Sequence, residues 1–218
     1  LHLILFYMST KERNKFLMET SPEQYTFTAK FLHWLIAIGI IFMFILGWFM
    51  EALPKEAPKS STYDLFNLGI YTWELAKETS PRSFYFNLHK SIGITLFTLI
   101  IFRFYWRFTH RPPALLKTMK SWEKKLATAA HHGLYLLMIL TPLAGIIMSI
   151  ASKYGIKWFG IKIIPGIDDR GLREIFHEFH IIFGILILGI LFFHITGAVK
   201  HSLIDKDGTI QRMWFKIK

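Results

Sequence analysis

Ten histidines are the residues of this chain whose type and spacing could do chemistry. Several lie in long apolar stretches that carry almost nothing else that ionises, where an ionisable side chain is a functional hypothesis by default. His180 and His194 stand 14 residues apart in one such stretch. On an α-helix that spacing turns the second ring by roughly 40° and moves it about 21 Å along the axis, so both share a face at two depths. His33 opens the first apolar stretch and His89 the second. By depth the four sort into an inner pair, His33 with His194, and an outer pair, His89 with His180. One turn after each comes a small residue: Ala37, Gly93, Gly184 and Ala198. Positions i and i+4 share a helix face, so a flat macrocycle ligated by the imidazole would lie over that small residue. His131, His132, His177 and His201 instead meet Tyr135, Leu136, Ile181 and Asp205. Small residues also ease helix packing in membranes, which is the blander reading of the same pattern.

Two pairs about 20 Å apart do not suit zinc or a dinuclear metal site, which would want four clustered ligands or added carboxylates. Non-covalent haem suits them better, because two neutral imidazoles fill both axial positions and leave an iron that transfers electrons without binding oxygen. Met43, Met138 and Met148 could be axial ligands instead, although methionine at helical spacing is usually core. The chain has no cysteine, which excludes disulfides, thiolate zinc, iron–sulfur clusters and thioether-linked haem.

Four membrane spans would position these histidines, at about 31–50, 88–106, 131–152 and 179–199. The first, third and fourth contain no Asp, Glu, Lys or Arg, and Lys90 and Arg103 flank the uncharged centre of the second. About 20 apolar residues cross the hydrocarbon core, and basic residues near the ends can snorkel. Buried helices of a soluble core would need far more polar amphipathic sequence around them than 218 residues supply. The composition, 52% hydrophobic and 17% aromatic against 19% charged, likewise excludes a disordered chain or a coiled coil.

The formal net charge of +11 invites a nucleic-acid reading, but the placement of the charges argues against it. Sixteen of 26 basic residues fall in segments 1–30, 102–130 and 195–218, against ten in 51–90 and 153–178; the acidic residues divide 6 against 9. The positive-inside rule then puts both termini in the cytoplasm, and the basic excess is a topology signal with affinity for anionic headgroups. The expected organisation is an N-terminal segment 1–30, a four-span domain 31–199 and a basic cytoplasmic tail 200–218. The natural start could be Met8 or Met18, and the apolar stretch 1–8 is too short to span and lacks signal-peptide features. Two outer loops, roughly 51–87 and 153–176, exceed ordinary connection lengths. In the first, Leu65, Phe66, Leu68, Ile70, Tyr71, Trp73 and Leu75 could form a short interfacial helix; glycines and Pro165 make the second turn-rich.

The sequence resembles the bacterial cytochrome b561 family of four-helix, di-haem, quinone-linked cytochromes, which includes a membrane superoxide oxidase. The resemblance rests on His33-Trp34-Leu35, on His89-Lys90-Ser91-Ile92-Gly93 with Arg103 and Arg107, and on His131 with Tyr135, Pro142 and Gly145. It continues through His180, His194, His201, Lys206-Asp207-Gly208 and Arg212-Met213. It implies an all-α, integral membrane four-helix bundle of the bacterial inner membrane with two haem b groups. It also implies axial ligands at His33, His89, His180 and His194, and ubiquinone as an electron partner on the cytoplasmic side. The family usually writes its outer fourth-span ligand as His-Glu, and here His177-Glu178 stands three residues early. Only His180 keeps the 14-residue spacing, since 17 residues would turn the ring about 100° away.

Lys90, Arg103, Arg107 and Arg173 could pair with haem propionates. His131 and His201 could contact propionate or serve quinone protonation. Ordinary helix-end anchoring and packing are the alternatives for all six, and Pro142 would kink the third span. The leading expectation is an electron carrier between an outer-face donor, either superoxide or a redox protein, and the ubiquinone pool, surrounded by membrane lipid. With superoxide as donor it would be a superoxide:ubiquinone oxidoreductase. The alternative is a cytochrome b membrane-anchor subunit for a partner dehydrogenase or hydrogenase. A haem-free transporter with histidine proton relays is a third class, and would be colourless.

Overall fold

The computed structural model describes residues 23–215; the proposed starts at Met8 and Met18 and the apolar stretch 1–8 lie outside them. Four long helices dominate: α1 (Phe27–Ala52), α2 (Pro81–Thr109), α3 (Ser121–Ala151) and α4 (Arg170–Lys200). Each is long and apolar enough to cross a membrane. Their side chains confirm the solvent they are built for: Ile38 is 64% exposed and Phe192 65%, a distribution that only lipid makes favourable over so much surface. All four helices begin before the apolar stretches read from sequence, because local caps and not the edge of the apolar run decide where they start. Thr26 Oγ1 accepts from the Ala29 amide, Ser80 Oγ from Ser83, and Asp169 Oδ1 from Leu172. Glu123 reaches back to the Lys120 amide. Each satisfies one of the orphan amides of a first turn, and Pro81 occupies the position just inside α2 where its missing N–H costs nothing. α3 is one continuous helix through Pro142.

The chain divides into two compact units. Among the described residues, the first takes 23–35, Ile100–Met138 and 185–215; the second takes Ile36–Leu99 and Ile139–Gly184.

In the first unit the C-terminal segment folds back over the start of α1. After α4 a π-turn (His201–Asp205) leads to Lys206 in the left-handed region. His201, which is buried, holds Asp207 at 2.8 Å and Asp205 at 2.9 Å through Nδ1. Burial opposes the Asp207 charge, yet the Thr209 hydroxyl and amide and the His201 ring hold its carboxyl below the ordinary value. Beyond it, Trp34 Nε1 donates to Met213 O at 3.0 Å, Lys30 Nζ to Trp214 O at 3.0 Å, and Arg212 to Glu23 O and Ala114 O.

In the second unit the long loop after α1 is a β-hairpin, β1 (Ser60–Asp64) with β2 (Thr72–Thr79), joined through a short 3-10 turn at Leu65–Asn67. This corrects the interfacial helix expected there. Trp73 and Leu75 are half-buried while Glu74 and Ala76 are exposed, an alternation of period two that fits a strand and not a helix. Tyr63 pairs across the ladder with Trp73 and stacks on Phe84 at 4.5 Å, and Tyr85 donates to Asp64 O at 2.7 Å. Leu46, Tyr63, Phe84, Tyr85 and Leu88 form the buried core beneath. Arg82 caps the end of α1, donating to the carbonyls of Met50 and Glu51 and to that of Leu53 just beyond the helix. The other long loop contains a second hairpin, β3 (Ile156–Trp158) with β4 (Ile161–Ile164).

Candidate functional site

Each unit brings two histidines ring to ring. In the first, His33 of α1 and His194 of α4 have centroids 6.3 Å apart with ring planes at 68°. In the second, His89 of α2 and His180 of α4 are 6.2 Å apart at 77°. Two imidazoles that each gave one nitrogen to a single metal ion between them would stand with centroids about 6 Å apart. Both pairs match that span. His131 lies 5.3 Å from His194, too near for the two to face one iron from opposite sides.

The surroundings of the His89–His180 pair suit such a group in two further ways. His180 Nδ1 lies 2.8 Å from the Thr141 carbonyl oxygen. A carbonyl can only accept, so Nδ1 carries the proton and the lone pair is left on Nε2, the second-shell arrangement of metal-binding histidines. Gly145 makes room for the ring, since a Cβ there would lie 3.1 Å from His180 Cε1 and Nδ1. His89 Nδ1 is buried with no hydrogen-bond partner, an orphan that a bound group or water has to satisfy. At the i+4 positions, a Cβ on Gly93 would come 3.3 Å from Met43 Cε and one on Gly184 3.6 Å from Phe44. These glycines thus also allow close packing against α1. His177 stands apart, 49% exposed with its Nδ1 3.6 Å from Glu178.

The His33–His194 pair is ringed by cations and aromatics. Arg103 Nη2 donates to His33 Nδ1 at 2.9 Å, and because a guanidinium has no acceptor, the neutral His33 ring carries its own proton on Nε2. Ligation through Nε2 therefore requires Arg103 to release Nδ1. Arg103 and Arg107 both sit over the Tyr135 ring, at 5.8 and 5.3 Å from its centroid. Trp34 packs edge-on to His33 at 5.3 Å.

The remaining sequence-stated candidates are placed as follows. Arg103, Arg107 and His131 gather at the His33–His194 pair. Lys90 Nζ is directed to the Gly155 carbonyl at 3.3 Å, Arg173 is exposed near the start of α4, and His201 is engaged with Asp205 and Asp207. Tyr135 emerges as the platform for both arginines. The Thr141 carbonyl that orients His180 is a backbone group with no signal in residue type.

Comparison with known proteins places the chain in a family. The profile of the prokaryotic cytochrome b561 family matches residues 24–216. Cytochrome b561 homolog 2 of Escherichia coli K12 is 32% identical over 197 residues, covering 88% of this chain and 92% of its own length. Cytochrome b561 homolog 1 of the same organism is 25% identical over 85% of this chain and 94% of its own length. A probable superoxide oxidase of Yersinia pestis is 24% identical over 84% of this chain and 90% of its own length. With four membrane-length helices and a family match over most of its length, the chain belongs to the prokaryotic cytochrome b561 family, multi-pass membrane proteins that bind b-type haem and transfer electrons.

Proposed function

We propose that this protein carries electrons through two b-type haems from superoxide at the outer face of the bacterial inner membrane to ubiquinone, with both termini cytoplasmic. The observation that carries the reading is the two histidine pairs with centroids 6.2 and 6.3 Å apart. His33 with His194 and His89 with His180 would hold the two irons. When bound, each haem would supply a one-electron redox centre. Two superoxide anions each lose one electron to become dioxygen, and the two electrons with two protons convert ubiquinone to ubiquinol. The likeness to a probable superoxide oxidase supports the choice of donor.

The residues of the chain divide the work. The Thr141 carbonyl fixes the His180 tautomer, leaving the Nε2 lone pair as the one that would hold the metal. Arg103, once released from His33, is the cation placed to neutralise a propionate, with Arg107 beside it on the Tyr135 ring. His131, next to His194, is the titratable side chain placed to hand a proton to a quinone at that end. The basic excess of the termini and of segment 102–130 supports their cytoplasmic side.

The test is an absorbance spectrum of the purified protein with a haem-to-protein ratio, followed by superoxide consumption with and without a soluble ubiquinone analogue. Two low-spin b haems and quinone-dependent superoxide oxidation are expected. One haem or none overturns the ligand assignment. Two haems with reduction only by a co-purifying dehydrogenase or hydrogenase would instead make the chain a membrane-anchor subunit.

A further inference from the structure

The β3–β4 hairpin serves neither histidine pair, and its composition is odd for its shape. Its tip reads Trp158-Phe159-Gly160-Ile161, with Trp158 paired to Ile161 across a two-residue turn. Both central residues have positive φ, 45° at Phe159 and 89° at Gly160. Such turns favour Asn, Asp or Gly at the first central position, and a bulky side chain held there is strained. Phe159 gains little inside the protein to offset that strain, being 57% exposed, and Trp158, Ile161 and Ile163 are exposed beside it.

Two hydrogen bonds pin the tip to the flank of α2. The Phe159 amide donates to Ser91 Oγ at 2.9 Å, and Trp158 Nε1 donates to Thr95 Oγ1 at 3.1 Å. Ser91 is buried, whereas Thr95 and Thr98 are exposed along a helix that crosses the membrane. The apolar tip is therefore continuous with a lipid-facing surface. Just behind it, Lys157 and Lys162 are ladder partners, both exposed. Like charges directly opposite on one face destabilise a hairpin unless an anion lies with them. Lys90 reaches the Gly155 carbonyl at the hairpin base, and residues 153–167 contain three lysines and no carboxylate.

We propose that the β3–β4 hairpin is a lipid anchor: Phe159 and its apolar neighbours sit in the hydrocarbon boundary beside α2, and the Lys157–Lys162 pair binds the phosphate of an anionic phospholipid. An aromatic wedge with basic residues behind it is the composition that settles at a membrane interface, and lysines at that level add attraction to anionic headgroups. Phe159 packs edge-on against its tip neighbour Trp158 at 5.4 Å, and the strained turn is retained because lipid covers the outward side of this aromatic pair.

Because the chain has no cysteine, Phe159→Cys carries a nitroxide at one defined place. In phosphatidylcholine–phosphatidylglycerol nanodiscs, that label should be relaxed by oxygen and shielded from a water-soluble nickel chelate, relative to a label at exposed Lys55. Equal accessibility to the chelate at both positions overturns the insertion. Native mass spectrometry then counts retained phosphatidylglycerol: the Lys157→Gln/Lys162→Gln double variant should bind it roughly tenfold more weakly, and Lys153→Gln should not. Unchanged retention in the double variant overturns the headgroup site. Both lysines are exposed, so a haem spectrum matching the wild type shows that the variant has folded.

Discussion

The two histidine pairs share one spacing and differ in almost everything around it. At His89–His180 a backbone carbonyl fixes one ring, a glycine clears space for it, one nitrogen of the other ring is unpartnered, and the adjacent cation, Lys90, is turned to the Gly155 carbonyl. At His33–His194 two arginines, a third histidine and a tyrosine crowd in, and the returning C-terminal segment packs on Trp34. The contrast teaches that one ring-to-ring spacing can be set in two electrostatic environments within a single chain, and such surroundings are the usual protein lever on the potential of a haem.

The comparison is broken most sharply by removing one ring at a time. His180→Ala should halve the haem-to-protein ratio and spare the signal of the His33–His194 site, and His194→Ala should do the reverse, as read by pyridine haemochrome and low-temperature EPR. If His180→Ala leaves the spectrum unchanged, the ligand moves to His177. A smaller effect separates the glycines. Gly145→Ala forces a Cβ to 3.1 Å from the His180 ring, an overpacking that costs about 1–3 kcal/mol, and should lower haem retention at the second pair in a thermal release assay. Gly133→Ala meets only the mobile end of Ile190 at 2.9 Å and should be close to neutral, helped by about 1 kcal/mol of helix propensity.

Charge should distinguish the sites next. A guanidinium near an iron disfavours its oxidised, more positive state, so Arg103→Gln should lower one haem midpoint by tens of millivolts, where 59 mV corresponds to tenfold for one electron. A redox titration in which both midpoints move equally would refute the separation of environments. The smallest effect belongs to the tail. Asp207→Asn weakens the contact with His201 by about 1 kcal/mol, so amide exchange over 208–215 should quicken while the His89–His180 signal stays as it was.

Much of the site could be read without coordinates. The pairing of the four rings follows from helix rise and turn angle, because long apolar helices in lipid have few ways to depart from regular geometry. The choice of His180 over His177 follows from the same periodicity, and the structure sets only the former beside His89. The loops were far less legible. Leu65 to Leu75 suits either an interfacial helix or a hairpin, and the pairing of Tyr63 with Trp73 over Phe84 and Tyr85 decides for the strand.

Composition and local order thus determined by themselves four membrane-length helices carrying two pairs of histidines at two depths, because the hydrocarbon core imposes length and apolarity and leaves histidine conspicuous. Only the tertiary structure decided which group holds each ring. The Thr141 carbonyl at His180 and the competition of Arg103 for His33 join residues distant in the chain, and the first uses the backbone. Residue type and spacing do not encode such contacts.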